Sequence, residues 1–206
     1  MTERPVLLAT RSEGKLRELR PMFERARFRA VSLDDLEIPE DEAEAGIERY
    51  DTFEENALAK ARYFFEASGG IATVADDSGL EVRALGGQPG VRSRRWSGRT
   101  DLAGQALDDA NNAKLLEALR GVGDRHARYV CVAAFVGLGR ELLARGETEG
   151  MLIDVPRGHG GFGYDPYFES AELGRTFGEA TREEKERVSH RGRAFRELLQ
   201  RVAHDG

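Results

Sequence analysis

Cysteine is nearly missing from this chain: Cys131 is the only one in 206 residues. A single thiol excludes an intrachain disulfide and any zinc site built on cysteine. Histidine is scarce as well, and His126, His159, His190 and His204 are scattered without the spacing of a ligand pair, so any metal is expected to rest on oxygen. No apolar run approaches the roughly 20 residues of a membrane helix, and the opening Met1 to Pro5 has no apolar leader stretch, which points away from the membrane and to the cytoplasm. Repeats, low-complexity tracts and clear linkers are also missing. Lysine is the least expected shortage. Of 31 basic residues only Lys15, Lys60, Lys114 and Lys185 are lysines. Where a chain that prefers arginine keeps lysine, a compact ammonium rather than a planar fork suits the site, as at some phosphate sites.

What is present describes a globular protein able to bury a core: 40% apolar residues, 33% charged and a mean hydropathy of −0.53. The net charge of −6 argues against a general nucleic-acid binder. Val6 to Ala9 reads as a strand, followed by a loop and by Leu16, Leu19, Met22 and Phe23 at helical spacing. Val31 to Leu33 reads as a second strand, and the acidic run from Asp34 to Glu48, which contains no basic residue, as a solvated loop in preference to a metal-binding run. Thr52 with Glu55 forms a capping box that opens a helix ending near Gly69 and Gly70. On that helix Phe53, Ala57, Leu58, Ala61, Phe64 and Phe65 share the core side, and Thr52, Glu55, Asn56, Lys60 and Tyr63 the polar side. A buried strand from Ile71 runs into Asp76-Asp77-Ser78-Gly79 and stays extended to a turn at Gly86. A helix over Asp101 to Arg120 with Thr100 as cap, then strands over Arg128 to Leu138 and Glu141 to Ile153, complete the middle of the chain. Two helical pieces close it, one opened by Thr181 with Glu184 and one starting near Ser189. Early alternation and late hairpin strands give an α/β protein with a mixed sheet.

Several groups of residues are suited to chemistry. Thr10 to Lys15 lies between a strand and a helix, where backbone amides and the helix dipole attract an anion; an ordinary βα turn has the same form. It is not a Walker A loop, because Leu16 follows Lys15. Thr52, Glu55, Asn56 and Lys60 point a carboxylate, an amide and an ammonium the same way, as a solvated helix face also would. Asp76 and Asp77 at the end of a buried strand need partners or a metal. Phe162, Tyr164 and Asp165 in a glycine-rich loop offer an aromatic face beside a carboxylate, and Lys185 with Ser189, His190 and Arg191 gathers donors at a helix start. The arginines of the Arg92 to Arg99 segment, with Trp96, suit an interface or a substrate rim.

Taken in order, LLATRSEGKLREL, DTFEENALAKA, ADDSGLEVRALGGQPGVRSRRWSG, GGFGYDPYF and TREEKERVSHRGRAFREL span nearly the whole chain. Together they resemble the non-canonical purine nucleoside triphosphate pyrophosphatases, also called inosine triphosphate pyrophosphatases. The resemblance implies an elongated mixed β-sheet with flanking helices, two lobes around a central active-site cleft, and one such domain over residues 1–206. It implies a homodimer without nucleic-acid or membrane partners. The implied activity is Mg²⁺-dependent hydrolysis of ITP, dITP and XTP to the monophosphate and pyrophosphate, removing deaminated purines from the nucleotide pool. Carried over by position, it makes Thr10, Arg11, Ser12, Glu13, Gly14 and Lys15 the triphosphate loop, with Asn56, Lys60 and Ser78 also at the substrate. Glu55, Asp76 and Asp77 become the acidic groups at Mg²⁺, and Asp77 the proton acceptor for the attacking water. Phe162, Gly163, Tyr164, Asp165, Lys185, His190 and Arg191 surround the base. The chain departs from the family where Ser12 stands for the usual Asn and Arg11 for an often small residue. Those departures leave open a nucleotide-binding protein without turnover.

Overall fold

The computed structural model describes residues 5–204, apart from the side chains of Glu42, Ala45 and His204; residues 1–4, part of the opening read above for a leader stretch, lie outside that range. The first strand, loop and helix are β1 (Pro5–Leu8) and α1 (Glu13–Arg25). Ser12 is the N-cap of α1, its hydroxyl accepting the Lys15 amide, and Leu19, Met22 and Phe23 occupy the buried face. β2 (Arg29–Ser32), α2 (Phe53–Ala67), β3 (Thr73–Val82) and α3 (Gly104–Ala118) follow. The chain continues through β4 (His126–Gly137), β5 (Arg140–Leu152), β6 (Phe168–Ser170), β7 (Arg175–Thr176), α4 (Arg182–Val188) and α5 (His190–His204).

The seven strands form one mixed sheet in the order β2-β1-β3-β4-β5-β6-β7. β1 lies parallel to β2, with Leu8 opposite Ser32, and parallel to β3, with Leu8 opposite Val74. β6 is antiparallel to β5 and β7. Between β4 and β5, Leu138 and Gly139 both have positive φ, 53° and 73°, the twist that suits a two-residue hairpin. β4 is buried along nearly its whole length, as expected where both faces of a strand are covered.

The chain divides into two compact units. The first comprises the chain up to Asp77, Cys131–Arg145 and the chain from Ala194 on; the second comprises Ser78–Val130 and Gly146–Arg193. In the first unit Val6, Leu8, Phe23, Val74, Phe135, Phe195 and Leu198 build the core, with Phe23 and Phe195 edge to face at 5.9 Å. In the second unit Leu80, Val82, Leu115, Tyr129, Leu152, Phe168 and Phe177 do so. Among the described residues no helix is long and apolar enough to cross a membrane.

The sequence reading needs adjustment at two helix starts. α3 begins at Gly104 with Ala103 as its N-cap position, not at Asp101 under a Thr100 cap. The Asp101 carboxylate instead takes two hydrogen bonds from Arg99, at 2.7 and 2.6 Å, a local side-chain contact that competes with helix formation. At α2 Thr52 caps the Glu55 amide, but its hydroxyl donates to the Glu55 carboxylate at 2.6 Å, so that carboxylate is engaged at the cap hydroxyl. At α4 the reciprocal box of Thr181 and Glu184 is complete.

Phe195→Ala removes a ring that is fully buried. The expected loss is about 3–5 kcal/mol in urea unfolding, as for other buried aromatics truncated to alanine; a loss below about 1 kcal/mol would show that the first unit's core is not organised around this ring.

Candidate active site

In the first unit the chemistry gathers around the middle of β3. Asp76 and Asp77 are 1% and 6% exposed. Successive residues of a strand face opposite sides, and the two carboxylates accordingly meet different partners. Asp76 Oδ2 lies 3.1 Å from Lys15 Nζ and 3.7 Å from Cys131 Sγ, and the Asp76 carbonyl accepts from Lys15 Nζ at 3.4 Å. Asp77 Oδ2 accepts from Asn56 Nδ2 at 2.9 Å. Asn56 also holds the Tyr50 backbone at both ends, accepting from its N–H at 2.9 Å and donating to its carbonyl at 3.1 Å. It is fully buried, so its place is inside α2's packing rather than on an open polar face.

Burial raises the Asp77 carboxyl to about 6, the charge of Glu48 adds to the rise, and Lys15, Asn56 and Lys60 oppose it. Glu48 in turn pairs with Lys60 at 2.5 Å. Burial works to raise Glu48, but Lys60 and Lys15 outweigh it and hold the carboxyl below its ordinary value. The reverse balance holds at Lys60, where burial works to lower the ammonium but Glu48, Asp76 and Asp77 prevail and raise it. Three carboxylates and two ammonium groups therefore form one electrostatic set. The expected acidic trio included Glu55, whereas the largest charge influence on Asp77 comes from Glu48. Glu55 is exposed and its carboxylate rests on Thr52.

Among the described residues no three His, Cys, Asp or Glu side chains are already grouped as a metal cage. The donor set nonetheless suits a hard divalent cation. It is all oxygen, three carboxylates set among two ammonium groups, and burial together with the charge of Glu48 raises Asp77. The phosphate-loop candidate lies in the same unit. Thr10 is buried, its Oγ1 accepting from the Ser12 amide at 3.1 Å, and Ser12, Glu13 and Gly14 lead into α1. Arg11 turns toward the acidic segment, donating to Glu44 at 2.6 and 3.2 Å and to the Ile38 carbonyl at 3.0 Å. The segment read as a solvated loop is thus tied down at Asp35, Asp41, Glu44 and Glu48.

In the second unit Asp165 is the hub. Its Oδ2 accepts from Lys185 Nζ at 2.6 Å and from the Phe162 amide at 2.8 Å, and its Oδ1 accepts from Tyr129 Oη at 3.4 Å. Both Asp165 and Lys185 are buried, which demands this pairing. Gly161 has φ +74°, and a Cβ there would fall 2.0 Å from Asp165 Oδ2, so the loop needs glycine at that point. Gly163 is gripped by α3: its N–H donates to Asp108 at 2.8 Å and its carbonyl accepts from Asn112 at 3.0 Å. Phe162 is half-buried, with Lys185 Nζ 5.0 Å and Arg191 Cζ 5.5 Å from its ring centre. Tyr164 packs in the core with its hydroxyl on the Ser93 carbonyl at 2.8 Å. His190 stacks on Tyr129 at 4.5 Å and 8°, and Arg191 donates to Ser78 Oγ at 2.8 Å.

Glu48, Tyr129, Asp108 and Asn112 were absent from the sequence-derived set. The sequence signal for Glu48 was the acidic run that it ends, with no basic residue from Asp34 onward, and the length of irregular chain from 33 to 52 adds to it. Tyr129 lay hidden in an apolar strand, where an aromatic reads as core.

A model of the Ham1 family matches residues 6–201. A protein of Mycolicibacterium paratuberculosis named dITP/XTP pyrophosphatase is 49% identical over 95% of this chain and 94% of its own. One of the same name from Frankia alni is 48% identical over 94% of each. Among solved structures, a HAM1 protein from Coxiella burnetii has a TM-score of 0.80 at 33% identity, covering 98% of this chain and 99% of that one. The Staphylococcus aureus Ham1 protein has 0.79 at 31%, covering 98% and 100%.

Asn56→Ala leaves the Tyr50 amide, the Tyr50 carbonyl and Asp77 without their shared partner. Unfolding free energy should drop by about 2–4 kcal/mol in urea, the cost of leaving several buried polar groups unpaired. Wild-type stability in this variant would mean that the amide does not fix Asp77.

Proposed function

The chain belongs to the Ham1 family, and from that premise we propose that it hydrolyses dITP, ITP and XTP to the nucleoside monophosphate and pyrophosphate with Mg²⁺. The observation that carries this reading is the pair of buried aspartates on β3, met by two of the chain's four lysines. A nucleoside triphosphate brings several negative charges to an acidic protein and needs local cations. Lys15 and Lys60 supply them in the first unit, beside the amides of Glu13 and Gly14 in the first turn of α1. Asp77, Asp76 and Glu48 are the residues that would hold the metal, with Glu55 outside that set. Bound there, Mg²⁺ supplies charge neutralisation on the phosphates and aligns them for in-line displacement.

Asp77 takes the proton of the attacking water. Without a bound cation, burial raises this carboxyl to about 6, still largely ionised at neutral pH, so an acceptor for the proton is present. The water oxygen forms a bond to the α-phosphorus, the bond from that phosphorus to the bridging oxygen breaks, and pyrophosphate leaves with the bond's electron pair. Asn56 is assigned to orienting Asp77, because its amide is spent on Tyr50 and Asp77.

The second unit is assigned the base. Phe162 offers a ring face flanked by Lys185 and Arg191. Hypoxanthine and xanthine carry an acceptor at O6 where adenine carries an amino donor, so donors from Lys185, His190 or Arg191 favour the deaminated purines over adenine; guanine shares O6 and is not rejected by this contact. A buried polar mismatch costs about 1–3 kcal/mol, roughly 5- to 150-fold in preference. Asp165 holds Lys185 and the Phe162 amide in place, and Ser78 anchors Arg191. The whole chain is taken as one functional domain acting on the cytoplasmic nucleotide pool, as a homodimer.

Purified protein incubated with dITP and Mg²⁺ should release dIMP and pyrophosphate, and Asp77→Asn should lower kcat by at least about 100-fold while dITP binding persists. Release of dIDP and phosphate would defeat the assigned bond, and near-normal turnover in the variant would remove Asp77 from proton transfer.

A further inference from the structure

Between β2 and α2 the chain crosses residues 33–52 with only one short 3-10 turn, Glu42–Gly46, yet this stretch delivers Glu48 to the charged set around Asp77. Such a length of irregular backbone has many alternative paths, so something must select the one that presents Glu48. Arg11 anchors the stretch through three hydrogen bonds. Its Nη2 and Nε meet the two oxygens of Glu44 at 2.6 and 3.2 Å, its Nη1 reaches the Ile38 carbonyl at 3.0 Å, and Asp34 stands at 3.8 Å. The pair is shielded, with side-chain exposures of 26% for Arg11 and 13% for Glu44. A planar fork matched to both carboxylate oxygens fixes direction as well as distance, which a lysine would not do. Glu44 is further fastened through its amide to Asp41, whose other oxygen takes the Tyr63 hydroxyl at 2.7 Å on α2.

We propose that Arg11 is a positioning residue, clasping Glu44 and the Ile38 carbonyl so that the acidic segment holds Glu48 toward the Asp76 and Asp77 carboxylates, and that it does not bind the triphosphate. A guanidinium spent on a bidentate carboxylate and a carbonyl has little left for phosphate, although its neighbours in the chain form the anion-binding loop. Arg11 thereby fastens the acidic segment to the phosphate loop. The inference rests on the assignment of Glu48 to the metal, and that assignment can fail separately.

The two roles for Arg11 make opposite forecasts for its partner. If Arg11 is a clasp, Glu44→Ala should reproduce Arg11→Ala. If Arg11 is a phosphate ligand restrained by Glu44, removing Glu44 should leave dITP binding unchanged or improve it. With the full chain, amide hydrogen exchange over residues 40–50 should quicken about tenfold in both single variants, with α4 unchanged. In steady-state hydrolysis of dITP, both should raise the Mg²⁺ concentration for half-maximal rate roughly fivefold, with kcat at saturating Mg²⁺ near wild type, the size of effect expected from one partly buried bidentate pair. The double variant should be no worse than either single one, and Arg11→Glu with Glu44→Arg should recover part of the protection. Unchanged exchange in both single variants overturns the clasp. So does a rise in the KM for dITP in Arg11→Ala that Glu44→Ala does not share. If the wild-type protein hydrolyses no dITP, the functional assignment falls, while the exchange experiment still decides the clasp.

Discussion

Burying Asp76 and Asp77 at adjacent positions of β3 takes two negative charges out of water, and such charges persist only where positive groups or hydrogen-bond donors meet them. Much of the first unit can be read as the answer to that demand. Lys15 comes from the first turn of α1 to Asp76, Asn56 comes from inside α2 to Asp77, and Lys60 approaches one turn further along α2. The Asp77 carboxyl is nonetheless raised, chiefly by its burial and further because Glu48 brings a third carboxylate into the same set. A site left short of positive charge in a shielded place is suited to a divalent cation carrying an anionic ligand, and the lysines that soften the imbalance are equally suited to the phosphates.

The second unit solves a related problem with different pieces. Asp165 and Lys185 are both buried, and each is acceptable there because of the other. Fixing that pair also fixes the glycine-rich loop through the Phe162 amide, while Asp108 and Asn112 of α3 grip Gly163 from outside the loop. The consequence is an aromatic ring beside cations on a loop that is irregular in shape but held at several points. Preorganisation of this kind lowers the ordering cost when a planar ligand stacks.

Much of the frame was legible from the sequence because its elements carry strong local signals. The apolar run before Thr10, the capping pairs at Thr52 and Thr181, the Leu138-Gly139 turn and the buried strand into Asp76-Asp77 each depend on residues near one another in the chain. Features decided by distant partners were harder to read. Asn56 falls on the polar side of a helical wheel, but Tyr50 and Asp77 supply the hydrogen bonds that let it be buried. Glu48 looks like the end of a solvated acidic run until Lys60 and the β3 aspartates surround it. Tyr164 looks like a stacking face until its hydroxyl finds the Ser93 carbonyl and its ring the core. Spacing along the chain reports which side a residue faces, not what waits there.

The site's central claim is spatial: the carboxylates of Asp77 and Glu48 share one metal ion, and Lys15 and Lys60 face the phosphates bound to it. Crystals grown with Mn²⁺ and a non-hydrolysable dITP analogue test this most directly, since anomalous scattering locates the metal without reference to the protein. The Mn²⁺ peak is expected within coordination distance of Asp77 and Glu48, with phosphate oxygens near the two lysines. A metal bound to the nucleotide but away from both carboxylates would contradict it.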